Sequence, residues 1–142
     1  LEDEFKAGTD RLFLTTDDGS YGEKGFTTDK LKELIEAGNE YDEIVAVGPP
    51  VMMKFVCKIA EEYGIPSVAS LTAYMIDGTG MCGGCRCVIG GENKFVCVGG
   101  PEFDGSLVDW DELIRRNSFY KDQEQEDAKH ICRLTGGVRY YD

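Results

Sequence analysis

Apolar residues in the first half of the chain follow two patterns that alternate with each other. Short apolar runs at residues 12–15, 44–47 and 67–71 predict buried strands, because each has the length of a strand and is bounded by turn-forming residues. Over residues 31–35 and 52–63, apolar side chains recur at intervals of three and four residues, which predicts two helices with one buried face each. Alternating strands and helices predict an α/β fold with parallel strands and right-handed crossovers.

Capping residues mark two predicted helix starts. Thr27 and Thr28 are candidate caps for the first helix, because a threonine oxygen can accept a hydrogen bond from a free backbone N–H group. Asp109 and Glu112 resemble a capping box ahead of a further short helix. Residues 121–129 are almost wholly polar, so we expect a solvated helix or a mobile tail there.

A Gly-Pro turn at Gly48 and Pro49 joins the second predicted strand to the helix that contains Met53. Such a junction suits a phosphate or a polar ring, because the helix N-terminus and the carboxyl ends of the strands meet there. The segment up to Met53 is therefore a candidate nucleotide site. Asp17 and Asp18 have two interpretations: they form an Asx-type turn, or one of them accepts a hydrogen bond from an adenosine ribose and favours NAD.

Residues 77–97 form a glycine-rich segment with four of the chain's six cysteines. Cys82 and Cys85 are a C-x2-C pair, and with Asp77 and Cys97 they give the pattern D-x4-C-x2-C-x11-C. Plant-type [2Fe–2S] proteins use C-x4-C-x2-C and a distant fourth cysteine, so Asp77 occupies the first position of that pattern. Glycines let the backbone approach a cluster closely, and the exposed N–H groups can bond its sulfurs.

The residues after Cys85 alternate and then turn at residues 90–93, which predicts a hairpin that carries Cys97 back beside the loop. Two alternatives stay open for this segment. Cys82, Cys85, Cys87 and Cys97 could supply four thiolates to zinc, although Cys87 and Cys85 share one strand face. The other alternative is a disulfide. Disulfides suit an oxidising compartment, and the sequence shows no secretory segment that would direct the chain to one.

The remaining cysteines and the single histidine carry no clear ligand spacing. Cys57 lies on the face of a predicted helix, and we expect it to be a small buried hydrophobic residue. Cys132 has the same expectation, and His130 is expected to be structural or exposed. Trp110 and Phe103 are expected to pack rather than to stack on a ligand.

Four segments together resemble a known family of redox subunits: residues 15–22, 47–53, 77–85 and 100–105. They are similar to the C-terminal region of the electron-transfer subunits of dihydroorotate dehydrogenase. They are closer still to the small subunits of NADH-dependent ferredoxin:NADP oxidoreductase, sulfide dehydrogenase and hydrogenase gamma subunits. The dihydroorotate type has Cys at the first ligand position and the ferredoxin:NADP type has Asp, so Asp77 resembles the second group.

The resemblance implies a ferredoxin–NADP reductase-like subunit with a flavin barrel, a nicotinamide-nucleotide domain and a small [2Fe–2S] module. It implies NAD(H) or NADP(H) near Asp17, Asp18, Gly48, Pro49 and Met53, and a [2Fe–2S] cluster on Asp77, Cys82, Cys85 and Cys97. A glycine fingerprint loop and a flavin-binding segment are not found in the sequence, so we expect a part of a longer subunit whose remainder binds FAD. The implied partners are a larger iron–sulfur or flavin redox subunit and ferredoxin or a related carrier, in the cytoplasm.

These expectations divide the chain into three parts. Residues 1–72 are the C-terminal part of an NAD(P)-binding domain with a partial parallel sheet, residues 73–116 are the irregular and hairpin [2Fe–2S] module, and residues 117–142 are a polar helix or tail. A net charge of −12 argues against nucleic acid or an anionic membrane as a partner. No apolar run approaches the roughly 20 residues of a membrane span.

Overall fold

The computed structural model describes residues 1–128 of the chain. Its strands are β1 (Thr15–Thr16), β2 (Glu23–Lys24), β3 (Ile44–Val47), β4 (Ser67–Ser70), β5 (Arg86–Ile89), β6 (Glu92–Phe95) and β7 (Glu102–Asp104). Its helices are α1 (Glu2–Gly8), α2 (Thr27–Glu36), α3 (Pro50–Glu62), α4 (Val96–Gly99), α5 (Trp110–Asn117) and α6 (Lys121–Ala128). The α/β class predicted from the sequence is confirmed.

β4 is the middle strand of the main sheet and has a different kind of neighbour on each side. β3 runs parallel to it, with Val47 opposite Ser70, as the β–α–β pattern predicts. β7 runs antiparallel along the other edge, with Phe103 opposite Ala69. The sheet is therefore mixed, and its third strand comes from beyond the cysteine segment.

α3 packs against β3 and β4 and supplies the best-buried side chains of the sheet layer. Met53 and Ala60 on the helix are fully buried, and so is Ala69 on β4. Val45 and Val47 lie on the opposite face of β3, where they are 60% and 69% exposed. Because successive strand residues point to opposite faces, α3 covers one face of β3 and leaves the other open.

The core continues from the sheet into the cysteine segment. Cys85, Cys87, Val96 and Leu113 belong to the same buried cluster as the core residues of α3 and β4. The predicted division of the chain near residue 72 stays a prediction. The shared core and the pairing of β7 with β4 join the parts on either side of it.

β5 and β6 form the predicted hairpin, with a shorter turn than the sequence suggested. Ile89 pairs directly with Glu92, so that only Gly90 and Gly91 form the turn. Both glycines have positive φ, at 58° and 81°, which is the geometry of a two-residue type I′ turn. Cys87 and Ile89 are buried while Arg86 is exposed, which confirms the predicted alternation.

Two local predictions near the N-terminus are wrong. The strand expected at residues 12–15 is reduced to Thr15–Thr16, and it pairs with β2 in a separate small sheet rather than with β3. Phe13 is 39% exposed, with the Lys30 ammonium 5.0 Å from the centre of its ring. α2 begins at Thr27 itself, directly after Phe26, and no side chain caps it.

The second predicted cap is half correct. Asp109 caps α5, because its carboxylate accepts a hydrogen bond from the Glu112 backbone N–H at 3.0 Å. Glu112 does not return the bond, since the Asp109 N–H donates to the carbonyl of Val88 at 2.9 Å. One carboxylate oxygen of Glu112 is consequently buried without a hydrogen-bond partner among the described residues.

α6 is the polar helix that the sequence allowed, and its side chains from Lys121 to Asp127 are exposed. His130 and Cys132 lie outside the described residues. Within residues 1–128, none of the helices has the length and apolar character needed to cross a bilayer.

Gly105 lies where β7 leaves the main sheet and packs tightly against α3 and β4. Its N–H donates to the Ser67 carbonyl at 2.9 Å, and its own carbonyl accepts from the Trp110 indole N–H at 3.1 Å. A side-chain carbon here would overlap the Cys57 sulfur and lie 2.7 Å from the Ser67 hydroxyl. Glycine is therefore required at this position for lack of space.

We predict that Gly105→Ala lowers the free energy of unfolding by about 1–3 kcal/mol, the usual effect of overpacking a close-packed core. Urea unfolding followed by circular dichroism measures the change. Gly8→Ala is the matched control, because nothing lies within 4 Å of a carbon added there. Equal stabilities of the two variants would contradict the packing described for Gly105.

Candidate iron–sulfur centre and nucleotide pocket

The sulfurs of Cys85 and Cys97 lie 3.2 Å apart. Cys85 precedes β5, and Cys97 lies in α4 directly after β6, so that the hairpin brings the two together. The Val96 N–H donates to the Cys85 carbonyl at 3.1 Å, and the Cys97 N–H donates to the Cys85 sulfur at 3.4 Å. Two of the four predicted cluster ligands therefore meet at one point.

The Cys85–Cys97 pair holds its protons unequally. Burial raises the pKa of the Cys85 thiol, but hydrogen bonds from the Cys97 backbone N–H and thiol outweigh it, so that the pKa of Cys85 lies below its ordinary value. The hydrogen bond to Cys85 raises the pKa of Cys97, and burial adds to the effect. Cys85 is thus the readier thiolate of the pair, and the thiolate is the form that binds metal.

Asp77 begins the loop that carries Cys82. Its two carboxylate oxygens accept hydrogen bonds from the backbone N–H groups of Thr79 and Cys82, both at 2.9 Å. These bonds, that of Thr79 first, hold the pKa of Asp77 below its ordinary value, although some loss of hydration opposes them. The loop closes further where the Gly84 N–H donates to the Cys82 sulfur at 3.4 Å. Asp77 therefore shapes the loop as an anion, whether or not it also binds a metal.

Cys87 is separate from the other cysteines of the segment. It is fully buried on β5, and its thiol lies 3.7 Å from the Lys94 carbonyl oxygen. Burial, followed by the charges of Cys85 and Glu112, raises its pKa to about 11. A buried thiol that keeps its proton is a poor metal ligand, which weighs against the four-cysteine zinc set.

The cysteine side chains of this segment have the chemistry to bind an iron–sulfur cluster, although they are not arranged around a common point. Within residues 1–128, no three His, Cys, Asp or Glu side chains converge closely enough to hold a metal ion. A tetrahedral metal with sulfur bonds of about 2.3 Å places two sulfurs about 3.8 Å apart, so Cys85 and Cys97 are close to that spacing. Cys82 is exposed, on a loop whose glycines Gly80 and Gly83 have positive φ.

A separate cavity of about 620 Å³ opens between α2 and α3. Its walls include Asp17 and Pro49, as the sequence predicted for a nucleotide site. Met53 is fully buried in the core, and its neighbour Met52 lines the cavity instead.

The other two predicted residues do not line the cavity. The carboxylate of Asp18 accepts a hydrogen bond from the Ser20 N–H at 2.9 Å in an Asx-type turn. Gly48 stands beside the cavity, because a carbon added to it would lie 2.7 Å from the end of Met52.

Two aromatic residues of the cavity were not predicted from the sequence. Phe26 and Phe55 line it and are 60% and 52% exposed. Phe55 falls outside the apolar stripe of α3, and Phe26 precedes the first turn of α2. A large apolar residue off the core face of a helix was the signal that could have identified Phe55.

Known proteins resemble this arrangement. Residues 72–109 match the family model of the iron–sulfur cluster binding domain of dihydroorotate dehydrogenase B. A Thermotoga maritima protein named as a homolog of the dihydroorotate dehydrogenase B (NAD(+)) electron transfer subunit is 48% identical over 136 residues, or 96% of this chain and 48% of that protein. Residues 72–109 therefore belong to this iron–sulfur domain family, and the chain as a whole is similar to an electron-transfer subunit.

Two further proteins are similar to this chain over a comparable length. An uncharacterized protein of Clostridium beijerinckii is 51% identical over 124 residues, which are 87% of this chain and 42% of that protein. A solved structure of NADH-dependent reduced ferredoxin–NADP oxidoreductase superposes with a TM-score of 0.77 and 49% identity, over 87% of this chain and 44% of that one. The chain thus spans less than half the length of these relatives.

Alkylation of the cysteines without metal tests their environments. We predict that iodoacetamide at pH 8 modifies exposed Cys82 quickly and Cys87 hardly at all. A pKa of about 11 leaves Cys87 as thiolate in only about one molecule in a thousand at that pH, and the side chain is fully buried. Mass spectrometry of the digested protein measures both rates, and equal rates would contradict the buried position of Cys87.

Substitution tests the ligand set. We predict that Cys82→Ala, Cys85→Ala and Cys97→Ala each abolish cluster assembly, because each removes a thiolate ligand. Asp77→Ala should give a labile cluster and Asp77→Cys a stable one with an altered spectrum. Cys87→Ala and Cys57→Ala are the controls and should keep the cluster, measured as iron, sulfide and EPR signal. A parent-like Asp77→Ala together with iron loss in Cys87→Ala would mean that four cysteines are the ligands.

Proposed function

We propose that the chain carries the [2Fe–2S] centre of an electron-transfer subunit that works between NAD(P)H, FAD and a partner redox subunit. The observation that carries this proposal is the pair of sulfurs from Cys85 and Cys97, 3.2 Å apart, within the segment that matches the iron–sulfur domain. Cys85 belongs to the buried core that continues into the main sheet, and Cys97 packs against that core. A redox centre held there is fixed relative to α3.

The ligands we propose are Asp77, Cys82, Cys85 and Cys97. When bound, the [2Fe–2S] cluster supplies a centre that accepts and gives up one electron at a time. Asp77 has the same charge as a thiolate but is a harder ligand, so it preserves the total charge of the ligand set. Its bonds to the Thr79 and Cys82 N–H groups keep the loop compact around that position.

The cavity between α2 and α3 is the proposed site for the nicotinamide nucleotide. Phe26 and Phe55 give it aromatic walls, and Asp17 gives it one carboxylate. α3 begins at Pro50 beside the cavity, so the positive end of a helix faces a group carrying phosphate or polar ring atoms. A carboxylate at the ribose end favours NAD(H) over NADP(H), whose 2′-phosphate it would repel.

We propose FAD for the part of the longer family members that this chain does not span. The solved relative comes from work on flavin-based electron bifurcation, which supports a flavin in that protein. The partner we propose is a larger iron–sulfur or flavin subunit, with ferredoxin or a related carrier as a further acceptor. A cluster held by thiolates requires reduced cysteines, which a reducing compartment maintains, so we propose the cytoplasm.

The visible spectrum of anaerobically purified or reconstituted protein tests the proposal. We expect a red-brown protein with iron and sulfide in equal amounts and an EPR signal on reduction. Metal analysis on the same sample detects zinc, which gives no colour. Stoichiometric zinc without sulfide would reject the electron-transfer function and make the segment a zinc-stabilised structural or interaction module.

A further inference from the structure

Arg116 reaches the cysteine loop from outside the segment that matches the iron–sulfur domain. It lies in the last turn of α5, and its guanidinium donates a hydrogen bond to the Gly84 carbonyl at 3.3 Å. Gly84 stands inside the C-x2-C pair, immediately before Cys85. Arg116 lies beyond residue 109, where the matched family segment ends.

The end of α5 also holds the chain that leads into the loop. The Asn117 side-chain amide donates to the Thr72 carbonyl at 2.8 Å, and the Tyr74 hydroxyl donates to the Asn117 carbonyl at 3.0 Å. Gly84 packs closely against this chain, since a carbon added to it would lie 3.0 Å from the Tyr74 carbonyl oxygen. Arg116 and Asn117 together therefore tie the loop's start and its last glycine to one helix.

The bond from Arg116 has an electrostatic consequence for Cys85. The Gly84 carbonyl and the Cys85 N–H are the two ends of one peptide group, and a cation bonded at the oxygen polarises the N–H toward stronger donation. The positive charge of Arg116 therefore acts on the peptide group that leads directly into Cys85, one of the proposed ligands.

We propose that Arg116 is a positioning residue for the cluster loop and that its charge raises the reduction potential of the cluster. The inference rests on the proposed function, because it requires a cluster at Cys85. Reduction adds a negative charge to the cluster, and a nearby cation stabilises the reduced form more than the oxidised form.

Glu112 opposes this effect from the same helix. Its carboxylate lies 3.8 Å from the Arg116 Nε and only 18% of the side chain is exposed. Its negative charge therefore lies beside the positive charge of Arg116, close to the cysteine loop. Arg115 lies 3.7 Å from the same carboxylate, but its side chain is 75% exposed and it makes no bond to the loop. Arg115 therefore provides a control with an identical charge change.

The experiment is an EPR-monitored redox titration of the reconstituted 142-residue chain and its variants. Arg116→Gln should lower the reduction potential of the cluster. At a fixed solution potential, the ratio of reduced to oxidised cluster should change at least threefold, which corresponds to about 28 mV at 59 mV per tenfold for one electron. Arg116→Lys keeps the charge and should recover more than half of that shift. Arg115→Gln should leave the ratio within experimental error, because exposed charges are screened.

The outcomes separate this inference from the proposed function. A parent chain that takes up iron and sulfide, with an unshifted Arg116→Gln or an equal shift in Arg115→Gln, overturns the role of Arg116 alone. A parent chain that takes up no cluster rejects both. If the Arg116→Gln variant takes up no cluster, the reduction potential of the Glu112→Gln variant tests the inference instead. Removing that carboxylate must raise the potential, and an unchanged or lower potential overturns the inference.

Discussion

The contact between the sulfurs of Cys85 and Cys97 depends on the register of one hairpin. Gly90 and Gly91 alone make the turn, so each residue of β5 has one fixed partner on β6. Adding or removing one residue there would move every side chain of β6 to the opposite face. Val96 would leave the core and Cys97 would no longer meet Cys85. Two residues with positive φ thus determine whether the chain presents a pair of ligands.

The cysteines of this segment differ in how deeply they are buried. Cys87 is enclosed by protein, keeps its proton and packs as a hydrophobic residue. Cys82 is exposed on a loop that carries few core side chains. Cys85 is 1% exposed and accepts a hydrogen bond from the N–H of Cys97, which is itself half-buried. A centre built on this pair would be anchored in the core at Cys85 and reach the surface through Cys97 and the exposed loop of Cys82.

Sequence patterns predicted what depends on nearby residues. The apolar spacing of α3, the hairpin after Cys85 and the cap at Asp109 are all local, and the structure has each of them, although the turn of the hairpin is shorter than the predicted residues 90–93. Pairing between distant segments was not predicted: β7 joins β4 across more than thirty residues, and no periodicity encodes that partner. Met52, rather than the predicted Met53, lines the cavity. Neighbouring helix positions differ by about 100° around the helix axis, so which of the two faces the cavity depends on how α3 docks. Arg116 was missed for the same reason, because only packing brings α5 to the loop.

β4 has a neighbour from each half of the chain. β3 leads directly into the Gly-Pro turn beside the cavity between α2 and α3, while β7 follows the hairpin that brings Cys85 and Cys97 together. Both strands pair with Val68, Ala69 and Ser70 of β4, so in the described part of the chain the cavity and the cysteine pair are connected through one strand. Their separation is then a property of the fold rather than of a hinge. Electron exchange between occupants of the two sites would proceed over a set distance, with its rate controlled by the chemistry at each end.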